Sequence, residues 1–398
     1  MLRRNLPGSL LVTLCAFGVL PAAGGCSASG GDEGDDGSTS GRSGSKGGSD
    51  GSGGSVLANG GSTPLAGASS NGGAGAGESD GAVGGGGMPA GGGAFEVFSC
   101  PPGPFPAPLF GDAVRVERVE GVPPPDAFNQ NNQTFGNVEG PVWFDDALYV
   151  SEIGPGSNPP PSRVLRITEA GEVTVAIADS GSNGLAISPA GELFGALHKD
   201  GSISRLSLTG GASEPVASMF GGARFNSPND LAIHASGTIF FSDPEWQAPS
   251  PAPQGGGNTR LYRVAPGGEP QPIEKLNAPN GVTLSKDQRV LYVAGNQLRK
   301  YPVMPDGSVG AGSDFVVGGS GDGMVIDCAD NLYVAHNGVS IYSAAGSLIG
   351  TISVQGVQQV TNLAFGGSDR KTLYITALGS GSQKGLFKAA LDVPGFPY

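Results

Sequence analysis

A short phrase recurs six times from residue 139 onward: a polar Glu, Asn or Asp, a brief apolar run, a turn, then an apolar strand ending in small residues. The copies are "EGPVWFDDALYVSE" from Glu139, "NGLAISPAGELFGAL" from Asn183, "NDLAIHASGTIFFSD" from Asn229, "NGVTLSKDQRVLYVAG" from Asn280, "DGMVIDCADNLYVAH" from Asp322 and "NLAFGGSDRKTLYITA" from Asn362. Their starts lie 44, 46, 51, 42 and 40 residues apart. A period of roughly 40 to 50 residues is that of a propeller blade, a four-stranded sheet that buries its faces only against neighbouring blades.

The intervals between copies supply the remaining strands. "RVLRITEAGEVTVAIA", "ISRLSLTGGASEPVAS" and "LYRVAPGGEPQPIEKL" each read as two short β-patterned runs around a Gly-containing turn. No run shows sustained helical periodicity with caps, so the expected class is all-β, a six-bladed propeller. An open ring would leave strand edges exposed. Only "GLFKAALDV" follows the last copy, while "AVRVERVEG" (Ala113 to Gly121) precedes the first without a partner, so the N-terminal run is expected to complete the last blade.

Glycine makes up 72 of the 398 residues, an excess concentrated before the repeats. Of the 68 residues from Ser27 to Ala94, 26 are Gly and 13 are Ser, and none is aromatic. Such a segment cannot offset the entropy of ordering its backbone and reads as a disordered tether. Before it, residues 1–26 carry Arg3 and Arg4, an apolar run from Leu10 to Leu20 and the small residues "PAAGGCS". This resembles a lipoprotein-type signal peptide, with Cys26 as the acylated residue, and an ordinary secretory signal is the alternative. The expected organisation is therefore a leader (1–26), a linker (27–94) and a propeller (95–398). The protein is expected to be exported, at the outer membrane, cell surface or periplasm, with a lipid anchor as its only membrane contact.

Residues 95–398 carry 28 acidic and 18 basic residues. A surface of that sign repels phosphate backbones, which excludes nucleic acid as a partner. Cys100 and Cys328 are the cysteines of this region, and export permits a disulfide, but spacing alone does not decide between a bridge and two separate thiols.

Equivalent repeat positions lie around one axis, so Glu139, Asn183, Asn229, Asn280, Asp322 and Asn362 are expected to ring one mouth of a central channel. Taken singly, Asn and Asp also cap tight turns before strands. As a set, six oxygens converging on an axis need something to satisfy them, and a hard divalent cation does so. Calcium is the first choice, with zinc, manganese or magnesium as alternatives.

The segments "VEGPVW", "NSPNDLAIHASGTIFFSDP", "APNGVTLSKDQRVLYVAG", "GDGMVIDCADNLYVAH" and "NLAFGGSDRKTLYITA" resemble, in order, those of the family of senescence marker protein (regucalcin), gluconolactonase and luciferin-regenerating enzyme. The resemblance implies a divalent metal at the channel mouth, held by Glu139, Asn280 and Asp322, with Asn229 beside it as a ligand or substrate contact. It also implies lactone hydrolysis, with Asp322 taking a proton from the attacking water. His198, in "GALHKDG", is a second candidate base because histidine titrates near neutrality, or else a strand-end residue. Asn183, Trp246 and Asn362 are candidate substrate-lining residues, although Trp246 is also suited to packing between blades.

Many lactonases of the family have an arginine-rich run after the histidine of the second repeat, whereas this chain reads "HKDGSISRL" with Lys199 and Arg205, so substrate contacts do not transfer. The expectation is a monomeric, metal-dependent lactone hydrolase acting on a sugar-acid-like small molecule. The alternative is a non-catalytic surface propeller that keeps the metal site to bind a ligand.

Overall fold

A computed structural model describes residues 98–122, 129–130, 133–134, 137–155, 158–379 and 384–396. The leader with Cys26 and the tether from Ser27 to Ala94 lie outside the described residues. Six four-stranded antiparallel sheets follow one another along the chain. In blade 1 the strands run outward from the axis as Asn137–Phe144, Ala147–Ile153, Ser162–Thr168 and Val173–Ile177. The innermost strands of blades 2 to 6 are Ser182–Ile187, Leu231–Ile233, Val282–Leu284, Met324–Ile326 and Gln359–Gly366, each opening one copy of the repeated phrase. The only helical element among the described residues is the 3-10 turn Gly111–Ala113.

The ring closes as the unpaired N-terminal run requires. Val116–Arg118 is the outer strand of blade 6 and pairs antiparallel with Gly385–Ala390, Glu117 opposite Lys388. A buried apolar cluster fills each of the six junctions between neighbouring blades, that of blades 6 and 1 included. There Trp143 of blade 1 stacks on Tyr374 of blade 6 with ring centroids 5.8 Å apart. Burial on both faces is why the inner strands read as nearly continuous apolar runs rather than alternating ones.

The segments around Cys100 and Phe396 meet at the end of the ring away from the polar positions. Cys100 and Cys328 form a disulfide with Cα atoms 5.6 Å apart, which decides between the two cysteine readings. The C-terminal segment runs beside it: the Phe396 N–H donates to the Ile326 carbonyl at 2.9 Å and the Gly395 N–H to that of Arg370 at 2.8 Å. The axial channel above is narrow, with about 60 Å³ of free volume, room for a few water molecules, and Arg370 and Phe396 line it together with inner-strand residues of all six blades.

Candidate functional site

The backbone places the polar residues at matching positions. Asn229, Asn280 and Asp322 each donate their N–H to a carbonyl at or just past the end of the second strand of their own blade, at Ser242, Ala294 and Ala335 respectively. Glycine after the polar residue lets successive blades approach one another. The Gly140 backbone has φ +54°, and a Cβ there would lie 2.2 Å from the Asn183 carbonyl oxygen. At Gly323 a Cβ would lie 2.0 Å from Oδ1 of Asn362. The glycines of "EGP" and "DGM" are thus demanded by packing at the mouth.

The side chains converge in two linked groups. Thr361, the Gly140 N–H and Asn362 all hydrogen-bond to Glu139. Nε2 of Gln359 donates to Oδ2 of Asp322 at 2.8 Å, and Asn280 also hydrogen-bonds to Asp322. Burial raises the Asp322 carboxyl well above the carboxylate range, and the negative charges of Glu139 and Asp230 add to the effect. Burial likewise raises Glu139. Neither makes an ion pair with a basic side chain among the described residues. The ring therefore joins negative charge and amide oxygens without a protein counter-charge.

Asp230, missed in the sequence, is the third carboxylate. It occupies the slot that glycine fills in the "NGL", "NGV" and "DGM" copies, and that substitution was the available signal. Its Oδ1 accepts from the Leu231 N–H at 3.0 Å and its Oδ2 from the Val282 N–H at 2.9 Å, tying blade 3 to blade 4. Burial pushes it up to about 7. Gln359 and Thr361 carried no signal beyond their closeness to Asn362.

Asn183, Asn229 and Asn362 are buried at the mouth. Nδ2 of Asn183 donates to Oε1 of Gln247 at 2.9 Å, and Oδ1 of Asn362 accepts from the Leu363 N–H at 2.8 Å. Trp246 does not pack between blades. It is 45% exposed at the rim, its carbonyl accepting from Nδ2 of Asn158 in blade 1.

The structure gives His198 a different place from the one its chemistry suggests. It is fully buried, with Nε2 2.9 Å from the Pro160 carbonyl and Nδ1 without a partner among the described residues. Burial pushes it down to about 4, so it is a neutral prop beneath the proline-rich turn of blade 1 rather than a base facing the mouth.

Among the described residues no three His, Cys, Asp or Glu side chains form a metal-binding group. Both Asp230 oxygens accept from backbone N–H groups, so the oxygens left for a cation come from two carboxylates, Glu139 and Asp322, mixed with amides. That all-oxygen set suits a hard divalent cation, calcium ahead of zinc.

Residues 138–379 match the family model described as the SMP-30/gluconolactonase/LRE-like region. A gluconolactonase of Zymomonas mobilis is 28% identical over 283 residues, covering 60% of this chain and 75% of the relative. The structure of a gluconolactonase of Xanthomonas campestris superposes with a TM-score of 0.58 at 25% identity, covering 70% of this chain and 90% of that one. That of a calcium-binding regucalcin of Agrobacterium tumefaciens superposes with a TM-score of 0.53 at 20% identity, covering 66% and 92%.

Proposed function

The chain belongs to the SMP-30/gluconolactonase/LRE-like family, and from this we propose that it opens lactone rings by adding water at the channel mouth. The observation that carries the reading is the pairing of Glu139 and Asp322, two carboxylates without a basic partner among the described residues, with amide side chains on one ring. Glu139, Asn280 and Asp322 would hold a divalent cation, with Asn229 beside them. A bound cation of this kind polarises a lactone carbonyl and makes nearby water more acidic.

The chain's own residues account for the proton and the orientation. Water adds to the ring carbonyl carbon, the ring C–O bond breaks, and the released oxygen is protonated, so one lactone and one water become one hydroxy acid. Asp322 accepts the proton from the attacking water and returns it to the leaving ring oxygen. Gln359 fixes the direction of the Asp322 carboxylate through its 2.8 Å bond. Asn183 and Asn362 present amides to the hydroxyls of a sugar-acid-like substrate.

The test is a panel of aldonolactones and acyl lactones offered to the purified protein with calcium, zinc or manganese. At least one lactone is expected to turn over, and Asp322→Ala to lower kcat by about 10³-fold, the usual contribution of a positioned base. Undiminished turnover in Asp322→Ala would remove the mechanism. Hydrolysis never above background, with cation binding intact, would favour a binding propeller.

A further inference from the structure

The chain has two tryptophans with opposite environments. Trp143 is buried against Tyr374, whereas Trp246 is 45% exposed and has no aromatic partner among the described residues. Large aromatic rings normally bury, so an exposed ring beside a polar site calls for an explanation.

The loop from Pro244 to Thr259, which follows the second strand of blade 3, holds this ring in place. Ser227 Oγ donates to the Pro244 carbonyl at 2.8 Å and accepts from the Gln247 N–H at 3.3 Å. Nε2 of Gln254 donates to the carbonyls of Phe220, Ala223 and Arg224 at 2.9 to 3.0 Å, locking the loop to the hairpin Met219–Arg224. The exposure of Trp246 therefore belongs to a pinned rim.

Its neighbours are amides. Gln247 touches Asn183 of the mouth ring, and Asn158 meets the Trp246 carbonyl. Oδ1 of Asn183 and Nε2 of Gln247 have no partner among the described residues. Two basic side chains of blades 2 and 3 are engaged elsewhere: Lys199 pairs with Asp179 at 2.7 Å, and Arg224 donates to the carbonyls of His198 and Lys199 at 3.1 Å. A half-exposed aromatic ring on a pinned rim, next in the chain to an amide that reaches the mouth ring, suits a neutral ring with an apolar C–H face and hydroxyls at its edge. That is a sugar.

We infer that Trp246, Gln247 and Asn183 form a subsite for a sugar ring attached to the lactone, so that the preferred substrates are lactones bearing a second sugar. For its reaction this rests on the lactonase reading, but the subsite is a binding statement of its own. Across the mouth the strand connections at Gly295–Gln297 and His336–Gly338 are short and offer no comparable wall.

Two measurements test it. The first compares hydrolysis of the δ-lactones of cellobionic and gluconic acids. The ratio of kcat/KM, disaccharide over monosaccharide, is expected to fall about tenfold in Trp246→Ala, through KM for the larger lactone, and to recover in part in Trp246→Phe. The second titrates the protein with cellobionate and follows tryptophan fluorescence, which is expected to shift in the parent and not in Trp246→Ala. An unchanged selectivity ratio, or a loss carried by kcat on both lactones, overturns the subsite, as does an absent fluorescence response. If neither lactone is hydrolysed while cellobionate still shifts the Trp246 signal, the lactonase reading fails and the subsite stands.

Discussion

At the scale of single residues, environment outweighs side-chain chemistry. His198 has the intrinsic pKa of a general base, yet burial keeps it neutral with its pKa near 4, against the opposing effect of its hydrogen bond to the Pro160 carbonyl. A histidine lowered in the folded state leaves the unfolded chain binding more protons between about pH 4 and 6.5. Its contribution to stability is therefore fully present above pH 6.5 and is lost as pH falls through that window, by about 3 kcal/mol at most. Urea titrations at pH 7 and pH 4.5 are expected to show a smaller acid-induced loss in His198→Gln than in the parent. Equal losses would mean that His198 titrates normally. Asp322 shows the converse: its carboxyl is raised by burial and by Glu139 and Asp230, which makes the mouth a place for positive charge.

At the scale of elements, the repeat made the architecture legible and hid part of the site. The six phrases located the inner strands because a blade's period is covalent, and the missing outer strand of blade 6 followed from counting strands. The ring of Glu139, Asn183, Asn229, Asn280, Asp322 and Asn362 followed from equivalent positions, whereas singling out Glu139, Asn280 and Asp322 from it rested on the family resemblance. Asp230 did not follow, because it stands in a slot that reads as a turn, and its role is visible only when its carboxylate reaches Val282 of the next blade. Gln359 and Gln247 lay outside any repeated position, and contacts across blades cannot be read from spacing. The 51-residue interval in the repeats hinted at the Pro244 to Thr259 insertion but not at its docking on Asn183. The same close approach of blades predicts that Gly140→Ala costs about 2–4 kcal/mol, from overpacking and a strained positive φ together. Thermal denaturation of that variant checks it, and an unchanged melting temperature would contradict the packing account.

At the scale of the whole molecule, the two ends of the propeller's channel differ. The disulfide from Cys100 to Cys328 and the C-terminal segment at Phe396 gather at one end of the channel, and the carboxylates and amides gather at the other. A bridge across 228 residues of sequence suits the oxidising compartment that the leader sequence leads one to expect. What the described residues offer a substrate is then a mouth with a rim on the side of blades 1 to 3 and carboxylate and amide oxygens at its floor. The most direct measurement of that account is lactone hydrolysis by the full protein through one cycle of chelation and re-addition of calcium. Turnover is expected to fall to background on stripping and to return with calcium. Full turnover in the stripped protein, or none in the reloaded protein across the lactone panel, would contradict it.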